Sequence, residues 1–217
     1  MVTRAEPRPG AGEGVAPPAF VAAVASMRAA RLRPEVSCEE MPAPQRIAPY
    51  AAALSADVAV GGDEVGTGRI ILLHDPAGNE AWDGTFRCVA YARAEVEVEM
   101  ITDPMLGGVG WAWLTEALTA HGAKYHSASG TVTRVATENF GGMAEEAAAA
   151  QVEIRASWTP VFPGDPGAEG EPRPEKVDVA PHVEAWGELL CTAVGLPPVP
   201  DGVSVMPSRR GQRGPTS

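Results

Sequence analysis

Residues 67–100 constrain the fold more than any other stretch of this chain. Residues 67–75 run into a Pro76-Ala77-Gly78 turn and then into an alternating run over residues 84–100. Alternation at period two is strand chemistry, because successive side chains leave opposite faces of an extended backbone. A type I turn at 75–78, continued by Gly78 in the left-handed region, predicts that the two strands return antiparallel. Phe86, Cys88, Ala90, Ala92, Val96 and Val98 share one face of the second strand, which is predicted core. Arg87, Tyr91, Arg93, Glu95, Glu97 and Glu99 share the other, which is predicted to be wet or to meet a partner. The apolar run 70–73 predicts a strand buried on both faces or central in its sheet.

The flanking chain supplies the other elements. Pro17 and Pro18 open a first helix with Phe20, Val24 and Met27 on one stripe, and Arg28, Arg31 and Arg33 gather near its end. Strands are predicted at 35–41 and 50–60, then a turn at Gly61-Gly62-Asp63. Asp103-Pro104 reads as a helix start, with Asp capping and Pro in the first turn. Gly107, Gly108 and Gly110 weaken that start, so the solid helix is predicted from near Gly110. Trp111, Leu114 and Leu118 form its inner face, and Gly122 stops it. Two more strands are predicted at 130–138 and 147–160, the second with Ala148, Ala150, Val152, Ile154, Ala156 and Trp158 on one face. A last helix over 181–194 carries Val183, Trp186 and Leu190 on one stripe and ends at Gly195.

Strands that follow one another through short turns favour an antiparallel sheet. The predicted fold is α+β: about five or six strands packed by two or three helices in two layers. The chain divides into a disordered tail over 1–16, one α+β domain over 17–196 with an acidic Pro/Gly loop at 162–177, and a disordered tail over 197–217.

Charge and cysteine usage narrow the partners. The 217 residues carry a formal net charge of -11, which argues against direct nucleic-acid binding because phosphate backbones would repel the chain. Cys38, Cys88 and Cys191 have no metal-type spacing and read as reduced thiols. No apolar run reaches the length of a bilayer span, and residues 1–16 lack a signal-type apolar segment. The expected location is the cytoplasm, with no membrane partner.

Few residues offer chemistry. His74-Asp75 is the weak catalytic candidate, since imidazole and carboxylate can share a cation, but Asp before Pro also belongs to an ordinary turn. Glu95, Glu97 and Glu99 place three carboxylates on one strand face; the simpler reading pairs them with Arg134 and Arg155. Gly107-Gly108-Val109-Gly110 lacks the later glycine and the Lys-Ser/Thr of phosphate loops. His121, His126 and Ser127, Ser129 and Ser157 form no triad or elbow motif. No metal and no cofactor is expected, because no cluster has three or four ligands at workable spacing. Trp113 lies off the inner face of the middle helix and is a contact candidate, although large aromatics usually find burial. The binding candidates are therefore Trp113, Tyr91, Arg87, Arg93, Glu95, Glu97 and Arg155.

Several runs are distinctive: Arg31-Leu32-Arg33-Pro34-Glu35, Pro42-Ala43-Pro44-Gln45-Arg46-Ile47-Ala48-Pro49-Tyr50, and Leu72-Leu73-His74-Asp75-Pro76-Ala77-Gly78. Gly84-Thr85-Phe86-Arg87, Gly130-Thr131-Val132-Thr133 and Glu153-Ile154-Arg155-Ala156-Ser157-Trp158-Thr159-Pro160 are others. Together they resemble an actinobacterial family catalogued as domain of unknown function number three thousand, over residues 20–161 and 179–195. The resemblance implies a link to RNA metabolism, through a neighbouring ribonuclease D-type gene, and assigns no residue a role.

The leading expectation is a non-enzymatic domain that binds a protein or small molecule through its polar sheet face or the Trp113 side of the middle helix. The rival is a hydrolase of unfamiliar type using His74, Asp75 and the glutamates at 95–99.

Overall fold

Strand pairing decides where each alternating run ends. The computed structural model describes residues 16–145, 148–162 and 177–198, so the expected tails and acidic loop lie almost wholly outside the described residues. Six strands form one antiparallel sheet: β1 (Val36–Met41), β2 (Tyr50–Val60), β3 (Asp63–Asn79), β4 (Gly84–Glu95), β5 (Tyr125–Thr137) and β6 (Ala149–Pro160). Their order is β1-β2-β3-β4-β6-β5. The first four form a meander, and β6 inserts between β4 and β5. The helices are α1 (Pro18–Ala29), the single turn α2 (Val98–Ile101), α3 (Leu106–Ala120) and α4 (Ala180–Ala193). The architecture is α+β, as the patterning predicts.

The alternation read to residue 100 continues past the end of β4. Gly66 is the last β3 partner, opposite Ala94, and β6 pairs only as far as Gln151 opposite Glu95. One further bond, from the Val96 N–H to the Ala150 carbonyl at 3.0 Å, closes this edge, and the backbone then coils into α2, which satisfies its own groups. Val98 is therefore exposed rather than core, and Glu97 and Glu99 do not share a strand face with Glu95. The hairpin tip is likewise shifted. Pairing resumes at Asn79 opposite Gly84, so 75–78 is an irregularity in β3 and the chain reverses over the next four residues. Gly78 does take a positive φ of 78° there, and Asp75 Oδ1 accepts the Ala77 N–H at 3.1 Å.

The even-numbered face of the central strands is the core. Ile70, Leu72, Phe86, Cys88, Val152, Ile154 and Trp158 are all buried on it. Small residues make this face flat enough for α4 to lie close. A Cβ on Gly66 would sit 2.6 Å from Val194 Cγ1, and one on Gly68 would sit 2.8 Å from Leu190 Cδ2. Trp186 then reaches the sheet itself, donating from Nε1 to the Tyr91 carbonyl at 3.1 Å. Val183, Trp186 and Leu190 are buried as their spacing predicts.

The middle helix begins earlier than near Gly110. Asp103 Oδ1 accepts the Met105 N–H at 2.8 Å and its carbonyl accepts from Leu106, so the turn precedes the helix rather than capping it. Gly110 is inside α3 because the helix crosses the sheet there; an added Cβ would lie 3.2 Å from Val132 Cγ1. Among the described residues, no helix is long and apolar enough to cross a membrane.

Candidate functional site

Among the described residues, α1, α3 and α4 cover the even-numbered face, and no helix covers the odd-numbered face of β3, β4, β6 and β5. Its residues fall in rows set by the register. Thr67, Arg93, Glu153 and Thr133 form one row. Arg69, Tyr91, Arg155 and Thr131 form the next. Ile71, Val89, Ser157 and Ser129 form the third, and Leu73 with Arg87 begins the fourth. Within these rows Arg69, Arg87, Arg93 and Arg155 stand against the carboxylate of Glu153, with Glu95 at the end of β4 and Asp57 of β2, opposite Thr67, at their margin.

The Tyr91 ring sits between two guanidinium groups, with Arg69 Cζ at 5.6 Å and Arg155 Cζ at 5.3 Å from its centroid. That arrangement draws both cations to the electron-rich ring faces. Tyr91 Oη donates to Glu153 Oε1 at 3.2 Å, and Arg155 Nη2 pairs with Glu153 Oε2 at 2.7 Å. Burial first, and then the Glu153 carboxylate, holds the Tyr91 phenol above its ordinary pKa. Among the described residues Arg69 has no carboxylate partner.

Arg87 was expected on a wet face and is instead buried, with 7 % of its surface exposed. It has no carboxylate partner among the described residues. Nη1 donates to the Ser127 carbonyl at 2.9 Å and to Thr159 Oγ1 at 3.0 Å. Nη2 donates to Ser157 Oγ at 2.7 Å and to Ser129 Oγ at 3.4 Å. The first of these bonds holds the irregular end of β5, where the register slips between His126 and Ser129 and Ser127 takes a φ of 50°. Thr159 Oγ1 donates in turn to the Trp82 carbonyl, which draws the 79–84 loop onto the same cluster. Burial pushes the Arg87 guanidinium below its usual pKa.

Between the Tyr91 row and this cluster lies a shallow depression of about 460 Å³, floored by Ile71 and Val89 and edged by Ser129, Ser157, Arg69 and Arg155. The structure therefore brings Tyr91, Arg87, Arg93 and Arg155 onto one face. Glu95 shares that face at the exposed end of β4, opposite Gln151, and Glu97 lies beyond the strand. Trp113 is on the other side of the sheet, half-buried in α3 and packed against the core. The expected partners of the glutamates are engaged elsewhere: Arg155 with Glu153, and Arg134 with the carbonyls of Ile101 and Asp103. Arg69, Ser129 and Ser157 were missing from the sequence-based set. Their only signal was the odd-number phase they share with Tyr91 and Arg155, and that phase is readable only once the strand register is known.

The catalytic alternative is not assembled. His74 is buried, stacked on Phe86 at 4.0 Å, and its Nδ1 is 2.9 Å from the Thr85 carbonyl, which fixes the proton on that nitrogen. Burial lowers its pKa. His74 is opposite Phe86 at one end of β4, and Glu95 is at the other, roughly 30 Å away along an extended strand. Among the described residues, no three His, Cys, Asp or Glu side chains come together as a metal site. The three cysteines are unpaired, and burial pushes the thiols of Cys88 and Cys191 up to about 12.

A family model described as a protein of unknown function (DUF3000) matches residues 16–204, and the chain belongs to that family. No curated protein and no solved structure matches it.

Proposed function

We propose that this protein is a non-enzymatic binding domain whose contact surface is the helix-free face of the sheet. The supporting observation is the row Arg69, Tyr91 and Arg155, which holds an aromatic ring and two cations in fixed positions over an apolar floor. Aromatic and arginine side chains are the types that dominate binding energetics, because they combine large contact area with directional polar groups. They stand on three neighbouring strands rather than on loops, so a partner meets them already positioned. The separation of His74 from Glu95 speaks against the hydrolase reading.

The test is affinity capture from the native cell with mass spectrometry, comparing the wild-type chain with an Arg69→Ala, Tyr91→Ala, Arg155→Ala variant. These side chains are partly or largely exposed, so the variant is expected to fold, and circular dichroism checks that it does. A partner recovered with the wild type and lost with the variant supports the reading. Capture that is unchanged by the variant overturns it.

A further inference from the structure

The hydrogen-bond directions around Arg87 leave a particular vacancy in charge. A guanidinium this buried ordinarily meets a carboxylate, because an uncompensated buried charge is costly. Here its four acceptors are a carbonyl and three hydroxyl oxygens, all neutral. Each hydroxyl that accepts from the cation must turn its own proton elsewhere. Thr159 spends its proton on the Trp82 carbonyl. Ser157 and Ser129 are different. Their oxygens are 3.4 Å apart, so one can donate to the other, but at least one proton is then left over. Both serines edge the depression on the helix-free face.

The cation is thus presented to the depression at one remove, through serine hydroxyls polarised by a charged donor. Charge-assisted bonds of this kind are stronger than neutral ones. The adjacent row, about 7 Å along the strands, supplies Arg155 and the carboxylate-free Arg69. Ile71 and Val89 lie between the two sets of donors.

Resting on the reading of this face as a binding surface, we propose that the depression is an oxyanion site. It takes a carboxylate or phosphate group on the Ser129 and Ser157 hydroxyls, with Arg69 and Arg155 closing on it from the next row. The apolar body of the same ligand covers Ile71 and Val89. The ligand supplies the counter-charge that Arg87 lacks among the described residues.

The experiment is a titration of the full-length, nitrogen-15-labelled protein with benzoate and with phenyl phosphate, followed by amide shifts. Benzamide is the neutral control of similar shape. The expected result is saturable shifts at Ser129, Gly130, Ser157 and Tyr91 with at least one anion and none with benzamide. The tighter anion tells a carboxylate ligand from a phosphate one. Ser129→Ala and Arg69→Ala alter exposed side chains, and each is expected to weaken binding severalfold; added salt is expected to weaken it too. Failure of both anions to saturate at millimolar concentrations overturns the proposal, as do equal shifts from benzamide or unchanged affinity in both variants. The comparison of anions with benzamide needs no variant, so a folding defect cannot obscure it. If a cellular partner depends on the face while neither anion binds, the oxyanion site is overturned and the binding surface stands. If an anion binds and no protein depends on the face, the site stands and the ligand is a small molecule.

Discussion

The indole Nε1 of Trp158 donates to Nδ1 of His182 at 3.0 Å, and both side chains are buried. This bond joins the C-terminal end of β6 to the first turn of α4. Because Nδ1 accepts, the imidazole is neutral with its proton on Nε2. Burial lowers the His182 pKa from 6.5 to about 4. The unfolded chain therefore takes up a proton before the folded one as pH falls. The stabilisation is fully present above about pH 6.5 and is lost as the pH falls towards 4, amounting to about 3 kcal/mol across that window. His74, whose pKa burial also lowers, acts in the same direction. Urea unfolding at pH 7 and pH 4.5 is expected to show the fall, and His182→Gln, which keeps an acceptor for the indole, is expected to reduce its slope.

Trp158→Ala is expected to cost about 3–5 kcal/mol in the same assay at neutral pH, the range for a fully buried large aromatic. An unchanged urea midpoint would mean that the core face has been assigned wrongly.

Gly66 tests the seating of α4. Its added methyl meets Val194 Cγ1 at 2.6 Å and the Arg93 carbonyl at 3.2 Å, so Gly66→Ala is expected to destabilise by about 1–3 kcal/mol. Val194→Ala in the same chain relieves the side-chain part of the clash and leaves the contact with the Arg93 carbonyl, so the double variant is expected to lose less than the sum of the two single changes. A double-mutant cycle from denaturant unfolding measures the coupling.

Arg87→Lys replaces a planar fork by a single ammonium that cannot reach four acceptors on β5 and β6 together. The expected loss is at least about 2 kcal/mol, because bonds from charged donors are worth roughly 1.5–3 kcal/mol each. Amide exchange is expected to accelerate first at residues 126–129, where the Arg87 bond to the Ser127 carbonyl holds the irregular end of β5.

The lowered slope, the lost aromatic and the seated helix all concern the core face, and that face was legible in the sequence. The even-number phase of Phe86, Cys88 and Ala90 and of Val152, Ile154 and Trp158 is local information, carried by a backbone that alternates its side chains. The α4 stripe and the Gly61-Gly62 turn are local in the same sense; both glycines take positive φ. Tertiary structure decided what depended on neighbours. β4 stops at Glu95, where its pairing with β3 and β6 ends, although the alternation does not. Asp103 belongs to a turn, not a cap, because Gly110 must meet Val132 and the helix starts where that crossing allows. Arg87 looked like a surface residue by phase, since nothing nearby in sequence can cover it. Its acceptors lie 40 to 72 residues further along, on strands that only the insertion of β6 between β4 and β5 brings alongside. The sequence by itself determined which segments become strands and helices and which phase of the central strands faces the core, because both are local; the long-range pairing of those strands determined where β4 ends and which polar residues became neighbours.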